Sequence, residues 1–124
     1  MSTNMNHFYI KEIEDILGRE CNEIHNPGIM GVIYSLGRDA ENNEEYEYAA
    51  GKLLQIFDGG TDGVRAYCIL AFSLLAVSGF SLDKDRIAPL ILQEQKRATG
   101  KNLQIINDAM EDIEMALGWG LEGR

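Results

Sequence analysis

The stretch TDGVRAYCILAFSLLAVSGF, residues 61–80, decides the fold. Between Val64 and Val77 only Arg65 and Ser73 are clearly polar. A surface helix carries a single apolar stripe, whereas a helix apolar nearly all round lies between other elements. The run is too short for a membrane span, which takes about 20 apolar residues, and it holds Arg65 near one end. It reads as the buried central helix of a small, soluble, all-α domain.

Working outward, the periodicity predicts six helices and no strand. Upstream, Tyr46, Ala49, Ala50, Leu53, Leu54 and Phe57 give the cleanest amphipathic pattern, capped by Asn42 or Asn43 and ended by Asp58-Gly59-Gly60. Before it, Asn26 reads as an N-cap with Pro27 at the first helical position, and Gly37 as the stop. The first helix is expected over roughly residues 5–23, with Gly18 bending or ending it. Downstream of the central helix, which Thr61 or Asp62 caps and Gly79 ends, a fifth helix covers roughly residues 84–98. Pro89 must kink that helix or mark its first turn. Gly100 then stops it, Asn102 caps the sixth, and Gly118 ends the sixth before a frayed tail at residues 119–124, from which Trp119 could fold back.

These helices pair into three hairpins, at about residues 5–37, 43–79 and 84–118 of one domain. Aligning Leu36, Leu75 and Leu117 gives spacings of 39 and 42 residues. Recurrence near 40 residues with two helices per unit is the mark of a stacked α-solenoid, in which the middle pair should be the most apolar. A compact six-helix bundle is the alternative.

The middle hairpin resembles a HEAT repeat: Leu53-Leu54, the turn at 58–61, then Asp62-Gly63-Val64-Arg65 followed by Leu70-Ala71 and Leu74-Leu75. The resemblance implies that Asp62 and Arg65 tie neighbouring repeats together, and that a proline-kinked first helix such as the one with Pro89 is in place. The outer hairpins share only period and pattern, reading Asn26-Pro27-Gly28-Ile29 and Asn102-Leu103-Gln104-Ile105 where the middle one has Asp-x-Val-Arg. Independently of the resemblance, a charge at Arg65 within so apolar a run needs an acidic partner.

No catalytic set emerges. Cys21 and His25 stand four apart, a metal-ligand spacing, but the only other histidine is His7, and the residues read as structural. The segment 58–63 is glycine-rich and precedes a helix, yet it lacks the Gly-Lys-Ser/Thr end of a P-loop and reads as a tight turn. Asp108, Glu111 and Asp112 share a helical face near Glu114, and Glu12 and Asp15 form a smaller pair; neither belongs to a Glu-x-x-His motif. The reading is therefore a non-enzymatic chain without cofactor or metal.

Charge points to partners. The net charge is −9 and the pI near 4.6, which opposes binding to nucleic acid phosphates. Residues 39–58 hold six acids against Lys52, and residues 108–122 hold five acids and no base. Glu44, Glu45, Glu47, Asp108, Glu111 and Asp112 form the candidate acidic docking face. The expected function is a protein–protein interaction module. The alternative is an acidic inhibitor or immunity-type protein that neutralises a basic nuclease or toxin. Two cysteines are too few for a disulfide framework, and no basic segment followed by an apolar one opens the chain, so the expected location is the cytosol, away from membranes. Apolar Phe8, Tyr9 and Trp119 near the ends of a short stack suggest homodimerisation as a means of covering them.

Overall fold

The computed structural model describes residues 10–121, all helix and connection among those residues. Six helices follow in order: α1 (Ile10–Leu17), α2 (Gly28–Arg38), α3 (Asn43–Gly59), α4 (Asp62–Val77), α5 (Lys84–Arg97) and α6 (Gly100–Leu117). Helix α4 is the hub. It packs most extensively on α6 and α2, then on α3, while α1 leans on α2 and α5 on α6. No residue from Val64 to Ala76 is exposed. Its Ile69, Phe72 and Leu75 meet a core drawn from Ile29, Ile33 and Leu36 of α2, Leu53 and Ile56 of α3, Ile87 and Ile91 of α5, and Ile106 and Ile113 of α6.

The caps explain most of the boundaries. The Asn42 side chain accepts from the Glu45 N–H at 2.9 Å to start α3, and the Thr61 hydroxyl accepts from the Val64 N–H to start α4. Gly118, in the left-handed region at φ 63°, ends α6 with its N–H on the Glu114 carbonyl.

Several expectations are corrected. The expected start of α1 lies outside the described residues, but its end comes at Leu17 and not near residue 23, because Gly18 and Arg19 bond back to the Glu14 and Ile16 carbonyls and close the last turn. Asn26 does not cap α2 with its side chain. It is fully buried and points backward, its Nδ2 donating to the Ile16 and Glu20 carbonyls at 3.0 and 3.1 Å, so it ties the end of α1 to the loop that follows. Gly37 is not the stop, since α2 runs on to Arg38, but the point in its last turn where the helix meets α4: a Cβ there would lie 2.7 Å from both Cα and O of Ala71. Pro89 does not mark a first turn. Helix α5 starts at Lys84 and continues past the proline to Arg97, and α6 follows after Ala98 and Thr99, with Thr99 rather than Asn102 at its N-cap. The tail is not frayed up to residue 121. The Glu114 carboxylate accepts from the Gly120 and Leu121 N–H groups, Leu121 is buried, and Trp119 packs on the core.

Polar ties hold α1 to α3. The Tyr48 hydroxyl donates to Glu14 Oε2 at 2.6 Å, and Lys52 Nζ lies 3.1 Å from the same oxygen. The Tyr48 bond, with Lys52 adding to it, holds the Glu14 carboxyl below the usual range.

Two outcomes test this packing. Gly37→Val drives a side chain into the Ala71 backbone and should cost about 1–3 kcal/mol, read as a lower urea midpoint; Gly31→Ala, where a Cβ meets nothing within 4 Å, should instead stabilise by about 0.5–1 kcal/mol. Because the folded-state pKa of Glu14 is depressed, its contribution is full above the unfolded carboxylate value and is lost as pH falls through the folded one. Tyr48→Phe should therefore raise the Glu14 titration midpoint in carboxyl NMR and weaken the pH dependence of stability on the acid side; an unmoved midpoint would contradict the Tyr48 tie.

Candidate functional site

Helices α3 and α5 both rest on α4, yet they barely meet each other. The gap between them is an open groove made of three adjoining depressions of ≈ 280, ≈ 230 and ≈ 530 Å³. One end is lined by Tyr46 and Glu47 of α3 with Asp83, Arg86 and Ile87; the other by Phe57 and Asp58 of α3 with Gln93, Glu94 and Arg97 of α5. Early α3 thus faces early α5 and late α3 faces late α5, so the two walls run parallel. Leu54 and Leu90 face each other at the middle, and Gly51 opens the α3 wall there, because a Cβ at that position would meet nothing within 4 Å.

A charge network closes the far end. The Arg65 guanidinium donates to Asp62 within α4 and to the Gly60 carbonyl at 2.5 Å. Its Nε lies 2.9 Å from Glu94 Oε2 on α5, an ionic approach without hydrogen-bond alignment. Arg97 reaches both acids, with Nε 3.5 Å from Glu94 Oε1 and a terminal nitrogen 3.7 Å from Asp62. Arg65 and Glu94 expose only 14% and 4% of their side chains, so each carries a charge that requires the other. Sequence reasoning singled out Arg65 and Asp62 but missed Glu94. The available signal was its i,i+3 spacing to Arg97 on the apolar side of α5.

The near end is electronegative. Burial, then the neighbouring Glu47 and Asp83 carboxylates, push the Tyr46 phenol up from its ordinary value. The Tyr46 ring stacks on Phe80 at 5.2 Å between centroids. Glu47, Asp58, Asp83 and Arg86 form no ion pair among the described residues.

The candidate acidic face divides. Glu44 and Glu47 are exposed on α3, and Asp108, Glu111 and Asp112 on α6. Helices α3 and α6 are not a packed pair; each packs on α4. Glu45 is corrected outright. It is fully buried, and its Oε1 accepts at 2.7 Å from the N–H of Glu41, one residue before the Asn42 cap, so it fastens the turn that leads into α3. The Asn-x-x-Glu spacing carried that signal. Cys21 and His25 do not share a helix face, because residues 18–27 are irregular. His25 pairs with Glu20 at 3.1 Å in solvent. Burial pushes the Cys21 and Cys68 thiols up, which disfavours the thiolate. Among the described residues no group of three His, Cys, Asp or Glu side chains is placed to hold a metal, and no helix is long and apolar enough to cross a membrane.

The Arg65–Glu94 pair gives a direct test. Arg65→Ala leaves the buried Glu94 carboxylate with only the half-exposed Arg97 beside it and should destabilise by up to about 3–5 kcal/mol, whereas the double change Arg65→Met with Glu94→Leu should recover most of that loss. Arg97→Ala, at the exposed rim, should cost less than about 1 kcal/mol. Urea denaturation of these variants beside the unaltered chain reads the series, and equal losses for the single and double changes would contradict a coupled pair. Comparison with known proteins finds no family model that matches the chain, and no match among curated proteins or solved structures.

Proposed function

We propose that the chain is a non-enzymatic protein-binding module of the cytosol, built as a short HEAT-like stack of three hairpins. The groove between α3 and α5 carries this reading. It is long, shallow and open, with Leu54 and Leu90 at its middle and with Glu47, Asp58, Asp83 and Arg86 along it, which form no ion pair among the described residues. Such a surface suits a polypeptide better than a small molecule, since small-ligand sites enclose most of their ligand. The order α2–α4–α6, with α4 in the middle and α1, α3 and α5 packed against that row, is what a stack of hairpins requires.

A second reading draws on the charge of −9 and the acids of α3 and α6: an inhibitor that blocks a basic nuclease or toxin, with carboxylates in the place of phosphates. That reading calls for a broad field of one sign, whereas the exposed acids sit on two helices that do not pack together.

Affinity isolation with the full chain as bait should recover a stoichiometric protein partner. A complex that also rests on the apolar middle of the groove should weaken only modestly as salt is raised, while an inhibitor complex built on acids alone should weaken steeply. Sedimentation at several concentrations reads the remaining arrangement, self-association. A chain that stays alone under mild salt in every preparation contradicts the module.

A further inference from the structure

Resting on the protein-binding reading, the chemistry of the groove also names its occupant. We propose that the groove between α3 and α5 receives a net-basic amphipathic helix of about three turns from a partner protein. The length follows from the walls: from Tyr46 to Asp58 the α3 wall runs roughly 18 Å at 1.5 Å per residue.

Backbone chemistry selects a helix over an extended segment. Both walls are helices, whose interior N–H and C=O groups bond within themselves, so neither offers a free edge to a strand. An extended segment laid between them would find no backbone partners on either wall, while a helix satisfies its own groups and brings only side chains to the walls. The surface between the walls is shaped for such an occupant. Leu54 and Leu90 present apolar side chains from opposite sides, and Gly51 leaves a notch beside them for an incoming apolar residue.

The sign follows from the charges left over. Asp62, Arg65, Glu94 and Arg97 neutralise one another at the far end. Apart from that network, of which Arg65, Glu94 and Arg97 also line the groove, the lining carries three carboxylates, Glu47, Asp58 and Asp83, and one guanidinium, Arg86. A complementary helix carries several Lys or Arg residues and one carboxylate placed for Arg86.

Selection from a displayed library of random segments of about 14 residues, with the full chain as target, tests this. Recovered binders should have apolar residues at i, i+3 or i+4, and i+7, and more Lys and Arg than Asp and Glu. They should lose about tenfold or more in affinity for Gly51→Trp, which fills the notch, while Gly51→Ala binds normally. Matched thermal melts of both variants show that the fold is intact. Arg86→Glu should weaken binders that carry a carboxylate, and replacing that carboxylate by Lys should restore them. Binders that are net acidic, that lack the helical period or that ignore Gly51→Trp overturn the proposal, as does a selection that yields none. A dimer of this chain with Leu54 and Leu90 in its interface also overturns it. A native complex that survives Gly51→Trp removes the groove as the site and leaves the protein-binding reading intact, whereas the absence of any complex removes both.

Discussion

A helix enclosed by its neighbours must satisfy the polar groups it buries, and within its enclosed run α4 carries the hydroxyls of Tyr67 and Ser73 and the guanidinium of Arg65. Ser73 does so locally, its hydroxyl donating to the Leu70 carbonyl at 2.6 Å. Arg65 carries a full charge, and it reaches Gly60 and Asp62 beside it and also Glu94 on α5. Enclosure of the hub therefore bears on where α5 sits, because one of the two acids that face Arg65, and the buried one, arrives on that helix. The far end of the groove is a by-product of solving the desolvation problem at the start of α4.

How far the residues announce this architecture depends on whether a feature is local. The caps at Asn42, Thr61 and Gly118 and the encirclement of α4 follow from spacing and chemistry within one or two turns, and they are readable. Gly37, Asn26 and Glu45 mislead for a common reason. A glycine can end a helix or admit another backbone, an asparagine can cap forward or tie backward, and a glutamate can face water or fasten a turn. Only a contact such as that of Gly37 with Ala71 tells the two uses apart. The groove is harder still to read. It exists because α3 and α5 fail to touch, and an absent contact leaves no periodicity behind.

Acidity takes on a different meaning once the carboxylates are placed. Of the acids along α3, Glu45 fastens the turn before the helix, while Glu47 and Asp58 stand on the wall of the groove without an ion pair among the described residues. The acids of α6 lie on another helix altogether. Net charge alone suggests a uniformly negative surface, but the groove has one acid-rich wall and one wall bearing Arg86, which is a pattern able to orient what lies in it.

The buried contact between Arg65 and Glu94 also governs the mechanics of the slot it borders. Swinging α5 outward from α3 would pull Glu94 off Arg65, a separation that leaves the nearly buried Glu94 with Arg97 alone and Arg65 with the exposed Asp62 alone among acids. The opening is in that sense a fixed gauge. Its width is settled when the chain folds, so the ordering cost that a pliable receptor meets at each encounter is already met, and discrimination falls to the girth of the visitor.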